Sequence, residues 1–409
     1  MTGRDVSRRA LLEIFEYGIR AVDGRRCTRN FLQAERPSGP VHVIAIGKCA
    51  GAMTLGARDA LGADLRDALV ITRPGYAVPE IREDARVAVL ETSHPVPDEM
   101  SIAAGHRLLA YVRDLPSGCR VLALISGGTS SLVEVLPDGV AVADLERANQ
   151  WLLGSGLDIF SINAVRRRMS RIKDGGLLSR LWGRRVLALY ISDVPGDDPA
   201  WIGSGLLARQ ESRLPEGLPK WLTDLLIHDA SAAAPVEGVR HEVIASLDQA
   251  LDACCDLART AGMEVLRHQT RLDVSVDEAA LRIVSSLKEG PEGVQVWGGE
   301  PTVRLPAKPG RGGRNQHLAL RCATAIQGCG TLQILCAATD GADGPGEDAG
   351  ALVDGESVQR GRDAGMDPEA CLMRADSGSF LEAAGDLIFT GPTSTNVNDI
   401  VIGAKGCKG

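Results

Sequence analysis

The chain predicts an α/β protein of two Rossmann-like domains, with mostly parallel sheets and an active-site cleft between them. Short apolar runs of strand length alternate with stretches of helical periodicity along the whole chain. Val41–Ile46 is an apolar run of strand length, and Val121–Ile125 and Val186–Ile191 are continuously apolar, as strands buried on both faces are. Glycine- or aspartate-rich turns follow such runs, and in an open α/β sheet the loops at the carboxyl ends of the strands line the ligand crevice.

The first half opens with an amphipathic segment, Arg4–Val22, in which Leu11, Leu12, Ile14 and Phe15 are interrupted by charges. Strands are expected at Val41–Ile46, Ala68–Thr72, Val87–Leu90, Val121–Ile125 and Val186–Ile191, and helices over Ala50–Leu61, Met100–Val112 and Asp158–Lys173. The polar, proline-bearing stretch Glu211–Val239, with helical pattern at Trp221–Ile227, is the expected boundary between domains 1–235 and 236–409. The second half restarts the alternation. Strands are expected at Val243–Ala245, Glu264–Arg267, Val294–Trp297, Leu332–Ala337 and Asp386–Thr390, and helices over Leu247–Thr260, Asp277–Lys288 and Gln316–Ile326.

Composition excludes several classes. Of 409 residues, 44 % are hydrophobic and 24 % charged, as in ordinary globular proteins. Aromatic residues are 3 %, too few for a base-stacking surface, and a net charge of −8 without a basic block disfavours nucleic acid and anionic membrane. The ten cysteines form no Cys-x-x-Cys pair and mostly lie in apolar runs. With no 18-residue apolar stretch and no signal-peptide core, a cytoplasmic protein is expected. A homodimer is compatible with the sequence, which fixes no oligomeric state.

The turns carry the chemistry. Glycine frees backbone amides to hold phosphate, lysine and arginine neutralise it, and aspartate takes a proton or holds a hard metal. Gly47-Lys48 stands at a strand-to-helix junction, Ser126-Gly127-Gly128-Thr129-Ser130 can form an amide nest, and Gly312-Gly313-Arg314-Asn315 leads into a further helix. A solvated lysine and a tight turn are the plainer alternatives. Asp193, Asp197 and Asp198 flank Pro195-Gly196, so one of them can cap the next turn. Asp340 and Asp343 either hold magnesium or form Asx-turns.

In the basic helix, Ile162, Val165, Met169 and Ile172 recur at helical spacing and face a core. Asn163, Arg166, Ser170 and Lys173 form a polar stripe about 100° round, able to hold a carboxylate or phosphate. Arg167, Arg168 and Arg171 are expected on a solvated face. Gly203–Ala208 formally fits the dinucleotide fingerprint, but no strand directly precedes it and Pro215 curtails a following helix. His94 lies in a turn, and the seven histidines form no cluster.

Taken in order, these motifs resemble the glycerate 2-kinase family, an N-terminal glycerate-kinase domain followed by a C-terminal MOFRL domain, here about residues 294–402. The resemblance rests on Ile46–Ala50, His94–Glu99, Ile125–Gly128, Ser161–Arg166, Ile191–Pro199, Gly298–Glu300, Gly310–Gln316, Thr339–Gly344 and Thr390–Asp399. It implies ATP- and magnesium-dependent phosphorylation of the 2-hydroxyl of D-glycerate, giving 2-phosphoglycerate. Thr129 departs from a usual glycine, His317 from glutamate, Leu206-Leu207 from Pro-Thr and Ala375 from asparagine. Arg73–Tyr76 replaces a segment usually ending Gly-His, and Asp174 interrupts a Lys-Gly-Gly turn. A related small hydroxy acid is therefore an alternative substrate. Hydroxypyruvate reductase, a label attached to relatives of this family, is an alternative activity.

Phosphoryl transfer is largely positioning plus charge neutralisation, which assigns roles. Lys48 and Arg314 are expected on the phosphate oxygens, supported by Gly47, Ser126, Gly127, Gly128, Ser130, Gly312, Gly313 and Asn315. Asp193 is the preferred general base. Asp340 is the second choice, and otherwise holds magnesium with Asp343 or Glu300. Arg166, Lys173 and Asn163 are expected on the substrate carboxylate.

Overall fold

The computed structural model describes residues 7–93, 96–209, 213–227 and 239–406. His94 and, in the expected boundary stretch, residues 211–212 and 228–238 lie outside them. The chain divides into two compact units: Gly24–Ile244, and Met1–Asp23 together with Ala245–Gly409.

The first unit is built on one six-stranded sheet. Its strands are β1 (Val41–Ile46), β2 (Leu65–Thr72), β3 (Val87–Glu91), β4 (Arg120–Ile125), β5 (Arg185–Ile191) and β6 (Val239–Ala245), in the order β3-β2-β1-β4-β5-β6. From β3 across to β5 every pairing is parallel. All six residues of β1 are buried, and five of them are apolar; the exception, His42, lies 2.9 Å from Asp67 through Nδ1. The helix Ala50–Leu61 returns the chain from β1, and the helix Glu99–Asp114 is capped by Asp98, whose side chain accepts the Met100 and Ser101 amides. A smaller core under the helices Val142–Gly154 and Ile159–Arg168 gathers Leu145, Leu152, Ile162, Val165, Met169 and Leu222.

The second unit has its own sheet: β7 (Val265–Arg267), β8 (Gly293–Gly299), β9 (Leu332–Ala338), β10 (Gly350–Asp354), β11 (Leu387–Ile388) and β12 (Asp399–Lys405), ordered β11-β10-β9-β12-β8-β7. Here the expectation of a mostly parallel sheet needs correction. β12 is antiparallel to both β8 and β9, and β10 to both β9 and β11; only β7 and β8 pair in parallel. Four strands still share one direction, with β10 and β12 reversed among them. A strand buried on both faces reads as the same apolar run in either direction, so the sequence carries no sign of the reversal.

The unit boundary also differs from 235/236. β6 is the edge strand of the first sheet, so that unit runs to Ile244. The N-terminal helix Arg8–Ala21 joins the second unit, burying Leu11, Ile14 and Phe15. It lies against the helix Leu247–Thr260, where Cys254 Sγ donates to Ile14 O at 3.4 Å and a Cβ on Gly18 would come within 2.4 Å of that sulfur. Arg8 adds ion pairs to Asp354 and Asp386 at 2.5 and 2.9 Å. An amphipathic stripe says that a helix has a buried face, not which core receives it. Among the described residues no helix is long and apolar enough to cross a membrane.

Candidate active site

In the first sheet the strand order reverses direction between β1 and β4. The chain leaves β1 toward β2 on one side and leaves β4 toward β5 on the other. Loops after those two strands therefore part, and the crevice between them is where open α/β sheets bind ligands. Gly47-Lys48 and Ser126–Ser130 are those two loops.

Their contact is close. Gly47 holds φ 129°, and a Cβ there would lie 2.2 Å from Ser126 Oγ and 2.6 Å from its carbonyl oxygen. Only glycine permits this approach. The Lys48 amide donates to Gly127 O at 2.9 Å and the Cys49 amide to Ser126 Oγ at 3.0 Å. Thr129 Oγ1 sits 2.9 Å from Ile46 O and 2.7 Å from Ser126 O, so the residue that departs from glycine ties the two loops together. The expected amide nest is smaller than Ser126–Gly128, because the Ser126 amide is already given to Ile46 O at 3.0 Å. Lys48 is partly buried just before the helix Ala50–Leu61. Ser130 Oγ lies 2.8 Å from Ser204 Oγ. Asp193 follows β5 at the same sheet edge, since Ile125 is registered with Tyr190. Asp198 takes the capping role: its Oδ1 accepts the Ala200 amide and its carbonyl the Trp201 amide, both at 2.9 Å.

The basic helix is shorter than its periodicity suggested, and this redistributes its charges. It spans Ile159–Arg168. The Met169 and Ser170 amides bond back three residues at 3.2 Å, and the Arg171 amide turns to Val135 O at 2.8 Å. Lys173 therefore leaves the stripe. Its Nζ lies 2.5 Å from Glu134 Oε2, with both side chains buried. Glu134 belongs to no motif, which is why sequence reasoning missed it. Arg166 is partly buried and donates from Nε to Asn149 Oδ1 at 2.8 Å; burial lowers its pKa. Asn163 is also partly buried. Arg167 corrects the expectation of a solvated face. It is 3 % exposed, stacks its guanidinium 4.5 Å above the Trp201 ring, and donates from Nε to Asn163 O at 3.3 Å. Arg171 does face solvent, paired with Asp138 at 2.9 Å.

A second constellation lies in the other unit, where the register Asp399↔Gly299 and Asp399↔Ala338 brings the ends of β8 and β9 beside the start of β12. Arg314, first residue of the helix Arg314–Ala325, reaches Asp399 through Nε at 2.5 Å and Nη2 at 3.1 Å, and Glu300 through Nη1. Burial opposes the Arg314 charge most strongly, yet Asp399 and Glu300 together hold its pKa above the ordinary arginine value. Burial likewise pushes the Asp399 carboxyl up, against the pull of Arg314.

Asp343 is not placed as a metal ligand. Its Oδ1 accepts the Asn315 amide at 3.0 Å and its Oδ2 the Gln316 amide at 2.8 Å, so it caps the Arg314 helix from outside. Gly313 makes room for it: a Cβ there would lie 2.3 Å from Asp343 Cγ. Burial, partly offset by the two amides, pushes the Asp343 carboxyl up to about 7. The phosphate role expected of Asn315 is corrected by the same geometry, since the Asp343 carboxylate already takes its amide and its side-chain Nδ2. Asp340 Oδ1 accepts the Ala342 amide at 3.1 Å in an Asx-turn. Among the described residues no three His, Cys, Asp or Glu side chains are grouped to hold a metal ion, so Asp340, Asp343 and Glu300 do not form a joint site.

The first unit is thus a doubly wound α/β sheet with glycine turns at its switch point. The chain belongs to the family that joins a "domain of unknown function (DUF4147)", matched over residues 10–220, to the MOFRL family, matched over residues 293–399. It is 34 % identical to the D-glycerate 2-kinase of Thermotoga maritima, over 96 % of this chain and 97 % of that protein. It is 39 % identical to a protein of Agrobacterium vitis provisionally named hydroxypyruvate reductase, over 98 % of this chain and 95 % of the other. The crystal structure of the Thermotoga maritima glycerate kinase superposes with a TM-score of 0.85 at 32 % identity, covering 97 % of this chain and 99 % of that one.

Proposed function

We propose that the protein is a glycerate 2-kinase, transferring the γ-phosphoryl group of ATP to the 2-hydroxyl of D-glycerate. The observation that carries this is the glycine-lysine turn at the switch point of the first sheet, stitched to the Ser126–Thr129 turn, in a chain related over nearly its whole length to a D-glycerate 2-kinase. In this assignment Lys48 neutralises the transferring phosphoryl group beside the Gly127 and Gly128 amides. Asp193 accepts the proton of the attacking hydroxyl, and Arg166 pairs with the substrate carboxylate. Lys173, committed to Glu134, supports the site rather than touching the acid. Arg314, aimed by Asp399, is the second phosphate contact. Magnesium shields phosphate charge when bound. Such sites need only one or two carboxylates plus the phosphates themselves, and Asp340, in its turn after β9, fits that demand. We place the enzyme in the cytoplasm, in keeping with nine described cysteines that are all free thiols.

Departures from the family pattern support glycerate over a remodelled acid. Leu206 and Leu207 are buried in the first core, His317 Nδ1 lies 3.1 Å from Ser377 Oγ, and Ala375 occupies a left-handed position at φ 50°. These are packing and backbone roles. The name of the Agrobacterium vitis relative raises reductase chemistry as the rival. Against it, the turn after β1 carries Cys49 where a dinucleotide site needs glycine for close approach of the pyrophosphate, and Thr72 ends β2 where a ribose-binding acid belongs. Gly203-Ser204-Gly205 forms a left-handed turn that opens no helix.

The test couples the reaction to enolase, which consumes 2-phosphoglycerate directly. Phosphoenolpyruvate formed from ATP, magnesium and D-glycerate without a mutase supports the assignment; ADP formation accompanied only by 3-phosphoglycerate overturns the regiochemistry. Oxidation of NADH by hydroxypyruvate would favour the rival. Arg166→Ala is expected to raise KM for the acid far more than for ATP, by an amount equivalent to about 1.5–3 kcal/mol.

A further inference from the structure

We infer that Asp343 is a positioning residue for phosphoryl transfer, holding the start of the Arg314–Ala325 helix, and through it the Arg314 guanidinium, in register for the transferring group. This rests on the assignment of Arg314 to the phosphate and goes beyond it by naming the group that aims Arg314.

The geometry is that of a clamp. The first amides of a helix lack partners within it, and an anion is favoured there by the helix dipole. Asp343 supplies the anion from 28 residues away in sequence, with Oδ1 on the Asn315 amide at 3.0 Å and on Asn315 Nδ2 at 3.3 Å, and Oδ2 on the Gln316 amide at 2.8 Å. The helix start is thereby fixed to the turn after β9. There is no slack in the joint. A Cβ on Gly313 would fall 2.3 Å from Asp343 Cγ, one on Gly344 would fall 2.9 Å from Gly312 O, and the Asp343 amide is itself given to Asp348 O at 2.7 Å. Asp343 is 2 % exposed, so it works through what it holds rather than by meeting substrate.

Arg314 is where that hold is felt. It is the first residue of the clamped helix, and its guanidinium must also meet Asp399 on β12 at two points, 2.5 and 3.1 Å. A bidentate fork of this kind tolerates little displacement. Two carboxylates therefore set one arginine, Asp399 at the head group and Asp343 at the backbone.

The experiment is a double-mutant cycle on the full-length protein, assayed with ATP, magnesium and D-glycerate, with melting temperatures measured alongside. Asp343→Asn keeps an acceptor for one amide and turns a donor toward the other. It is expected to lower kcat by about 10- to 100-fold with a smaller change in KM for D-glycerate. In an Arg314→Lys background, where no fork remains to be aimed, the same change is expected to cost less than about threefold more. Gly313→Ala presses on the same carboxylate from the helix side and is expected to show the same dependence on Arg314, so the test stands even if Asp343→Asn does not fold. Ile334→Val, a core truncation in β9, lowers the melting temperature while leaving kcat alone, which separates loss of stability from loss of aim. Equal losses in both backgrounds, or a folded Asp343→Asn enzyme with wild-type kcat, overturn the inference. A wild-type protein that makes no ADP with D-glycerate overturns the functional assignment instead, and that outcome is visible before any variant is made.

Discussion

Two glycine turns in this chain set a basic residue at the start of a helix, and they are closed by opposite means. At Gly47-Lys48 the closing atoms are neutral: Gly127 O receives the Lys48 amide and Ser126 Oγ the Cys49 amide. At Gly313-Arg314 the closing group is the Asp343 carboxylate, on the amides of Asn315 and Gln316. From sequence the two looked alike, each a candidate cradle for phosphate. The difference teaches that a helix start is not an anion site merely because its amides point outward, since the protein can supply the anion itself. The first turn is the better candidate for substrate phosphate, and the second is a device for aiming an arginine.

The largest expected effect is catalytic. Lys48→Met keeps the aliphatic stem and removes the charge, so kcat is expected to fall by about 10²–10³-fold with little change in melting temperature. A folded variant with near wild-type kcat would move the phosphate role wholly to Arg314. Next comes Gly47→Ala, which drives a methyl into Ser126 and is expected to cost on the order of 3 kcal/mol in urea unfolding. Gly62→Ala shares the positive φ, at 58°, but meets nothing within 4 Å, and is expected to cost only about 1–2 kcal/mol. Equal losses would mean that the backbone angle alone, not the contact between the loops, demands glycine.

A third prediction reads the charged closure through pH. Burial raises the folded-state pKa of Asp343 from 3.8 to about 7, with Asp399 raising it further and Arg314 opposing. A carboxyl raised in the folded state contributes stability that is present below its unfolded pKa and lost as pH rises toward the folded one. Unfolding free energy should therefore lose on the order of 2 kcal/mol between about pH 5 and 7 on account of this group, and Asp343→Asn should flatten that slope. An unchanged slope would show that the carboxylate keeps an ordinary pKa. The smallest effect belongs to the neutral closure: Ser126→Ala removes one acceptor from the Cys49 amide and is expected to cost about 1 kcal/mol, with no pH dependence.

What could be read from sequence follows the range of the interaction. β1 and the helices Ala50–Leu61 and Leu247–Thr260 carry local signals, apolar runs and 3.6-residue periodicity, and they match residue for residue. β10 and β12 were missed, β12 in part because Gly403 interrupts its pattern to admit Leu287, whose Cδ1 would lie 2.7 Å from a Cβ there. In the site, the Gly47 turn was legible because glycine marks a close approach. The partners of Lys173, Arg314 and Asp343 were not. Glu134 is 39 residues from Lys173, and Asp399 is 85 from Arg314. Nothing periodic links such pairs, so the sequence showed the charges without showing which groups they pair with. Arg167 failed for another reason: a stripe argument treats every face as apolar or wet, and a guanidinium stacked on Trp201 is neither.

The N-terminal helix has a consequence for biosynthesis. Arg8–Ala21 leaves the ribosome well before the helix it packs against, which begins at Leu247, about 225 residues later. At translation rates of about 5–20 residues per second, Leu11, Ile14 and Phe15 wait roughly 10–45 s for their core. The intervening unit, Gly24–Ile244, whose sheet is completed by β6, can collapse during that time with a greasy helix still tethered to its start. Nascent chains stalled before residue 245 should consequently expose that helix to trigger-factor-like chaperones and proteases, and release of the finished chain should hide it.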